Sequence, residues 1–135
     1  MKTTLDLKFG NLHLVGKFPK ANTVEAKYLL AFERWVVEML CMHGKPSPEG
    51  LQFLRTRSRL KAADFAELID VSPETVSRWE NDKNEMPTST WELMVSIAEE
   101  KLQGKTDTLD RLRQRREGRK GAHKLLTMPA AELTA

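Results

Sequence analysis

The sequence predicts a mainly α-helical protein in which a β-hairpin and one long amphipathic helix precede a group of shorter helices. Three observations support this prediction. The chain opens with alternating apolar residues around a Gly-Asn pair, apolar residues then recur at helical spacing, and two short apolar helices are separated by a tight turn between residues 65 and 80. With 135 residues and 40% hydrophobic content, the chain can form one modest domain with additional segments.

Residues 4–16 carry the pattern of a β-hairpin. The residues that alternate with polar ones are Leu5, Leu7, Phe9, Leu12 and Leu14. A two-residue Gly10-Asn11 turn would pair Phe9 with Leu12, which places every apolar side chain on one face. Because an isolated hairpin is marginal in water, this face must pack on another element. Gly16 to Ala21 is predicted to be a connector.

The longest predicted helix runs from Thr23 to Met42, with Asn22 and Glu25 in the form of a capping box and Gly44 after its end. Its apolar stripe consists of Val24, Tyr28, Phe32, Trp35, Val36, Met39, Leu40 and His43. The simpler interpretation is that this stripe covers the hairpin and the flank of the later helices. A dimer interface or a docking surface for a partner protein is the alternative, because a hairpin and one helix bury limited area.

Lys45-Pro46-Ser47-Pro48 predicts a hinge that also begins a helix, with Ser47 as the N-cap and Pro48 at the first helical position. The next short helix places its apolar residues on one face and closes at Asp70. These residues are Phe65, Ala66, Leu68 and Ile69. A later helix is predicted to begin with a capping box at Ser89 and Glu92 and to end at Gly104.

Ser72 and Pro73 predict the start of the second short helix, as N-cap and first helical residue. Its inward residues are Val71, Val76 and Trp79, and its outward residues are Glu74, Thr75, Ser77 and Arg78. A polar outward face on a helix that a three-residue turn holds across another helix is typical of major-groove readers. An ordinary helical hairpin with a solvated face is the alternative.

Separated positions in this region resemble the Xre family of Cro- and lambda-repressor-like helix-turn-helix domains. They are Leu54-Arg55, Leu60, Phe65-Ala66, Val71-Ser72, Val76 to Asn81, Pro87 and Leu93. The resemblance covers roughly 50 residues and implies a five-helix DNA-binding fold. It also implies a buried ion pair between Arg55 and Glu80. Two positions depart from the family. Ala62 replaces a Gln that helps anchor the second helix to phosphate and to the reading helix, and Asp70, which tolerates the left-handed conformation better than most residues, replaces a turn Gly.

The resemblance also implies which residues contact DNA. Base readout falls to Glu74, Thr75, Ser77 and Arg78, with Arg78 donating two hydrogen bonds to guanine. The residues expected at phosphates are Arg57, Arg59, Lys61, Ser72, Asn81 and Lys83. For the cations among them, a solvated charge cluster is the alternative, since most surface cations bind nothing.

Charge divides the chain into three predicted segments. Residues 1–45, the hairpin and long helix, carry +3; residues 46–104, the helix-turn-helix domain, carry −4; residues 105–135 carry +4. An acidic reading domain counts against DNA binding unless its cations are gathered on one side. The last segment contains a dense run of cations from Arg111 to Lys120. Leu109, Leu112 and residues 113–116 could extend a basic helix, but such a run at a terminus is usually a disordered arm, so a flexible basic tail is predicted.

Several classes of protein are disfavoured by the composition. A single cysteine, Cys41, and three scattered histidines predict no metal site and no cofactor. We find no nucleophile with a partner base, no carboxylate pair with an evident pocket and no phosphate loop in the sequence, so we expect no enzymatic activity. No apolar run of membrane-spanning length and no signal-peptide pattern is found, so a cytoplasmic protein is expected.

These features predict a sequence-specific repressor of its own operon, autoregulatory or phage-like, that binds a two-fold operator as a homodimer. The hairpin with Gly-Asn-Leu-His-Leu and the stretch Ser-Pro-Glu-Gly-Leu-Gln-Phe-Leu-Arg are similar to MqsA-type antitoxins, although the zinc-binding cysteines of that family are absent. That similarity implies, as an alternative, an N-terminal half that binds a protein toxin. A protein-interaction module without DNA binding is a further alternative, motivated by the acidic domain and by Ala62.

Overall fold

The structure is a computed structural model that describes residues 3–18, 25–121 and 123–131. Over these residues the chain forms an antiparallel hairpin followed by six helices, and this confirms the predicted fold class. The elements are β1 (Thr3–Phe9), β2 (Leu12–Phe18), α1 (Ala26–His43), α2 (Pro48–Arg57), α3 (Ala62–Leu68), α4 (Pro73–Glu80), α5 (Thr88–Leu102) and α6 (Asp107–Gly118). None of these described helices combines the length and the apolarity that crossing a bilayer requires.

The hairpin has the predicted register, with Leu7 opposite Leu14 and Phe9 opposite Leu12. Gly10 adopts a φ of +52°, which a two-residue turn with Gly first requires. The strand continues beyond the predicted boundary, so residues 16–18 belong to β2 and not to a connector. The reason is tertiary: Phe18 is buried against Phe32 of α1, with ring centroids 5.8 Å apart.

Helix α1 begins at Ala26, later than the predicted Thr23, and Glu25 is its N-cap without a side-chain capping bond. The other half of the predicted capping box, Asn22, lies outside the described residues, as does the rest of the predicted connector. At the opposite end the prediction is confirmed, because the Gly44 N–H donates to the Leu40 carbonyl at 2.9 Å.

The apolar stripe of α1 is only partly buried. The buried residues of α1 are Phe32, Val36, Val37 and Leu40, and they face β2, α2 and α5. Val37 was not in the predicted stripe, whereas Tyr28 and Trp35, which were, remain more than a third exposed. Periodicity predicted the amphipathic helix but not how much of the stripe the rest of the chain covers.

The predicted starts of two short helices are confirmed. The Ser47 hydroxyl accepts from the Gly50 N–H at 3.0 Å, and Ser72 caps α4 in the same way. The capping box predicted for α5 is wrong, because Pro87 is the N-cap and Ser89 already lies inside the helix. The Pro87 carbonyl accepts the first helical hydrogen bonds, from the N–H groups of Thr90 and Trp91, and the proline side chain has no acceptor that could cap the helix.

The prediction of a flexible tail is wrong for residues 107–118, because they form helix α6. Leu109 is buried, and the Glu100 carboxylate accepts hydrogen bonds from the Thr108 N–H and hydroxyl at 2.8 and 2.6 Å. Arg116 donates to the carbonyl and the carboxylate of Glu67 in α3. These attachments come from residues distant in sequence, so the local pattern could not show them.

One apolar core joins the hairpin, α1 and the later helices. It runs from Phe9 of the hairpin through Trp91 of α5 to Leu109 of α6. Polar contacts reinforce it: the Asn11 amide donates to the His43 carbonyl at 3.1 Å, and Arg34 donates to the Leu102 carbonyl at 2.9 Å. The N-terminal segment is therefore packed against the helix-turn-helix region.

Candidate nucleic-acid interface

Helix α4 packs against α2 and α3 through Val76 and Trp79, both buried. Its other side is open: Glu74, Ser77 and Arg78 are exposed, and Thr75 is half-buried. Among the described residues, no hydrogen-bond or ion-pair partner is found for the side chains of Glu74 and Arg78. Since the hairpin and α1 pack mainly on α2 and α5, they leave this side of α4 uncovered.

The start of α4 is fixed by local hydrogen bonds. The Ser72 hydroxyl accepts from the Thr75 N–H at 3.2 Å and lies 2.8 Å from the Thr75 hydroxyl. Asp70, in the turn before it, has a φ of +59°, the left-handed conformation that its place in the motif led us to expect. The entry of the chain into α4 is therefore set by the turn and the cap together.

The far end of α4 is held by a partly buried ion pair between Arg55 and Glu80. The two nitrogens Nε and Nη2 of Arg55 donate to the two carboxylate oxygens at 2.7 and 2.9 Å, and Nη1 donates to the Leu60 carbonyl at 2.9 Å. The two side chains are only 13% and 8% exposed. Because both charged groups are hydrogen-bonded, this contact fixes α4 on α2 without leaving an unsatisfied charge.

Asn81 follows α4 and closes it. Its side-chain amide donates to the Ser77 carbonyl at 2.7 Å and to the Ser77 hydroxyl at 3.2 Å. Ser77 therefore keeps its hydroxyl proton available on the exposed side. Asp82 and Lys83 continue into an exposed loop, with a positive φ at Asp82.

The cations predicted at phosphates do not share one environment. Arg57 is turned toward α1, where it bonds Glu33 at 3.1 Å and stacks on the Phe53 ring at 4.6 Å. Arg59, Lys61 and Lys83 are exposed, and no ion-pair partner is found for them among the described residues. Arg59 and Lys61 flank the start of α3, whereas Lys83 lies beyond the end of α4. Open cations therefore lie near both edges of the α3–α4 pair.

The basic end of α6 lies at this site, which was not expected from the sequence. Arg116, Arg119 and Lys120 share a groove of about 270 Å³ with Glu67 and Asp70. The Arg run was visible in the sequence, but nothing local indicated that it would be fixed beside the turn that leads into α4.

Two further features bear on metal binding and on nucleophilic chemistry. In the described part of the chain, no three His, Cys, Asp or Glu side chains are grouped as metal ligands would be. Burial raises the pKa of the Cys41 thiol to about 12, and the nearby Glu99 and Glu38 carboxylates add to the shift. A thiol with so high a pKa is a poor nucleophile at neutral pH.

Comparison with known proteins agrees with this geometry. A search of curated proteins and a search of solved structures gave no significant match. Residues 51–97, which extend from α2 into α5, match a family model described as helix-turn-helix. This match supports the resemblance to Cro-like regulators, and it concerns a family of DNA-binding domains and not of enzymes; similarity to MqsA-type antitoxins is not shown. Residues 51–97 of this chain are thus similar to a helix-turn-helix domain, and this similarity supports a DNA-binding regulator in general.

Proposed function

We propose that the protein is a sequence-specific transcriptional repressor that binds a two-fold operator as a homodimer, with α4 in the major groove. The observation that supports this proposal is the open polar side of α4, held at one end by the Ser72 cap and at the other by the Arg55–Glu80 pair. A helix so held can present side chains to base edges without first ordering itself.

The roles along α4 follow from the chemistry of its exposed residues. Arg78 can donate two parallel hydrogen bonds to guanine O6 and N7, and Glu74 can accept from the amino group of cytosine. The Thr75 methyl group can contact the methyl group of thymine, while the Ser77 hydroxyl can donate to a base or a phosphate. These four residues are the proposed base-reading set.

The residues proposed to contact phosphates differ in whether their side chains already have a partner within the protein. Arg59, Lys61 and Lys83 keep their charges free for a backbone phosphate. Ser72 and Asn81 are engaged in capping α4, so they contribute at the two edges of the groove mainly by holding the helix. Arg57 has its Nη2 engaged by Glu33, so only the other nitrogens of its guanidinium group are open to a phosphate.

The experiment is selection of duplexes from a random DNA library by the purified protein, followed by binding measurements with Arg78→Ala. We expect an enriched two-fold sequence with half-sites one helical turn apart. Arg78→Ala should reduce discrimination at one position by roughly ten- to a hundredfold, because a bidentate contact contributes about 1–3 kcal/mol. Lys17→Ala, which removes an exposed positive charge from the hairpin, is the matched control and should preserve the discrimination.

Two results would contradict this proposal. Either the library yields no enriched sequence, or Arg78→Ala binds the enriched duplex and random duplexes with the same ratio as the wild type. The repressor role has its own test, in vitro transcription from a promoter that carries the enriched sequence. If the protein binds this sequence but transcription does not fall, it recognises DNA without acting as a repressor.

The homodimer is proposed to form through the exposed stripe of α1, defined by Tyr28, Trp35 and Met42. These residues lie seven positions apart, and Trp35 is 37% and Met42 70% exposed. Arg34 and Glu38, 3.5 Å apart, lie beside the stripe. When a second copy packs antiparallel across a two-fold axis, Arg34 of one copy comes near Glu38 of the other, so the stripe is self-complementary in charge. The exposed positions of α5 are polar by contrast, at Glu92, Ser96 and Glu99.

Sedimentation equilibrium tests this surface with the double variant Trp35→Ser/Met42→Ser. We expect the dimer dissociation constant to rise by about thirtyfold or more, as for loss of a central apolar anchor. Val15→Ser is the control, because Val15 is also 37% exposed but lies on the hairpin. A wild-type dimer that the double variant leaves intact would contradict the proposed interface.

The second candidate function, an antitoxin, is favoured by the same stripe because it lies on the N-terminal segment. If the wild-type protein is monomeric but forms a defined complex with a protein encoded beside it, and the double variant loses that complex, the stripe is a docking surface for that partner. If the protein binds a partner and selects no DNA, the module without DNA binding is the correct interpretation.

A further inference from the structure

Helix α6 is fixed in place by three contacts with different chemistry. Leu109 enters the core, the Glu100 carboxylate receives two hydrogen bonds at the start of the helix, and Arg116 reaches the end of α3 near its other end. The Arg116 Nη1 donates to the Glu67 carbonyl at 2.7 Å, a carbonyl at the end of α3. The helix is therefore attached along its length.

This attachment determines where the basic end of α6 lies. Arg116 shares one groove with Asp70 and a second with Val71 and Pro73, the residues that lead into α4. Arg119 and Lys120 line the first groove. A reading helix enters the major groove by its N-terminal residues. The cations are thus next to the end of α4 that would approach DNA.

The charges at this end are only partly compensated. Within the described residues, Arg113, Arg115 and Arg119 are exposed and have no ion-pair partner, while Lys120 pairs with Glu117 at 2.6 Å in the open. The facing acidic groups on α3 and the turn are Asp64, Glu67 and Asp70, and Arg116 already engages Glu67. Residues 46–104 carry −4 and residues 105–135 carry +4, so α6 brings positive charge to an acidic domain.

We infer that the basic end of α6 is a second DNA contact, in which Arg119 and Lys120, the cations that line the groove beside Asp70 with Arg116, bind backbone phosphates next to α4. This inference rests on the proposed function for the position of the duplex. The contact is independent of sequence, because guanidinium and ammonium groups meet phosphate oxygens here and not base edges. It supplies the electrostatic attraction that residues 46–104 lack.

The test is the double variant Arg119→Gln/Lys120→Gln. Both residues lie beyond Gly118, the last residue of α6, so their substitution removes two charges without interrupting the helix. Affinity is measured for the enriched duplex and for a random duplex from 50 to 300 mM salt. The plot of log affinity against log salt has a negative slope, and losing two phosphate contacts should make it less steep by about 2. Binding at low salt should weaken by roughly tenfold or more.

Both duplexes should lose affinity by the same factor, so the preference for the enriched sequence is unchanged. The control is Lys8→Gln/Lys17→Gln, which removes two exposed charges from the hairpin and should change affinity by less than about twofold. The inference is overturned if Arg119→Gln/Lys120→Gln keeps the wild-type slope, or if the hairpin control lowers the slope equally. In either case, loss of discrimination in Arg78→Ala would leave the proposed function standing. Absence of any DNA binding by the wild type would overturn both.

Discussion

Helices α1 and α4 are both amphipathic, yet they expose opposite kinds of surface. The open side of α4 carries Glu74, Ser77 and Arg78, whereas the open side of α1 carries Leu30, Trp35 and Met42. Groove edges and phosphates of DNA are polar, but protein interfaces have an apolar centre with aromatic residues. This difference supports the proposal that the two helices bind two different classes of partner.

The means of attachment differ as well. Helix α1 is held mainly by hydrocarbon, through Phe32, Val36 and Leu40, while α4 adds the buried pair of Arg55 and Glu80 to Val76 and Trp79. Hydrocarbon packing is non-directional, so it tolerates small shifts of a helix. A two-point guanidinium–carboxylate contact fixes angle as well as distance. The contacts that α1 makes through Arg34 and Glu33 are single hydrogen bonds, so the buried two-point contact belongs to the helix that we propose to read DNA.

The largest effect is expected at the directional contact of α4. Glu80→Ala leaves the Arg55 guanidinium partly buried without its carboxylate, and the free energy of unfolding should fall by about 3–5 kcal/mol. The control is Glu74→Ala on the same helix, whose exposed side chain should change stability by less than about 0.5 kcal/mol. Urea unfolding measures both. Equal stabilities would show that α4 is held by Val76 and Trp79 alone.

A smaller effect is expected where α1 meets the hairpin. A Cβ at Gly16 would lie 2.5 Å from the Phe32 ring, so Gly16→Ala must displace that ring and should cost about 1–3 kcal/mol. Gly118→Ala in α6 meets nothing within 4 Å and should be neutral or slightly stabilising. Thermal unfolding followed by circular dichroism compares them. Equal melting temperatures would mean that the hairpin moves away from α1 without cost.

The smallest effect is expected at the start of α6, which, unlike the contacts of α1 and α4 discussed above, is held by a carboxyl group whose titration can be followed, that of Glu100. The hydrogen bonds from the Thr108 side chain and N–H hold the pKa of the Glu100 carboxyl below its ordinary value of 4.5. Since the folded-state pKa is the lower one, this stabilisation is complete above about pH 4.5 and is lost as the pH falls through the folded value.

Glu100→Gln should therefore lower stability at pH 7 by about 1 kcal/mol or less, and this difference should shrink at acidic pH. Urea unfolding of the wild type and the variant at a series of pH values measures it. Glu99→Gln, at the exposed neighbouring position, is the control and should show no such change. A difference that is the same at pH 7 and pH 3 would exclude the carboxylate as the anchor.

The sequence predicted elements whose determinants are local. The hairpin register follows from alternation and the Gly10-Asn11 turn, and the starts of α2 and α4 follow from Ser47 and Ser72 with the prolines after them. The left-handed turn before α4 could also be expected, because Asp70 occupies a position where the motif requires it.

The features that escaped prediction depend on distant partners. Helix α6 contains few apolar residues and is held by Glu67 and Glu100, whose roles no local pattern indicates. Arg57 was expected at phosphate but is drawn to Glu33 on α1. In the same way, which half of the α1 stripe is buried depends on where β2 and α5 lie. Of the proposed interface, the exposed side of α4 was predictable, and the position of the α6 cations was not.

The Ser72 cap and the Arg55–Glu80 ion pair hold the two ends of α4, so this helix does not depend on the side chains of Glu74 and Arg78 for its position in the fold. Under the proposed function, exchange of these side chains would change the DNA sequence that α4 reads and would leave the fold intact, since exposed substitutions shift stability little. Regulators that arise by duplication from such a chain can therefore diverge in target within few mutational steps. For the same reason, α4 is a suitable place to graft new specificities.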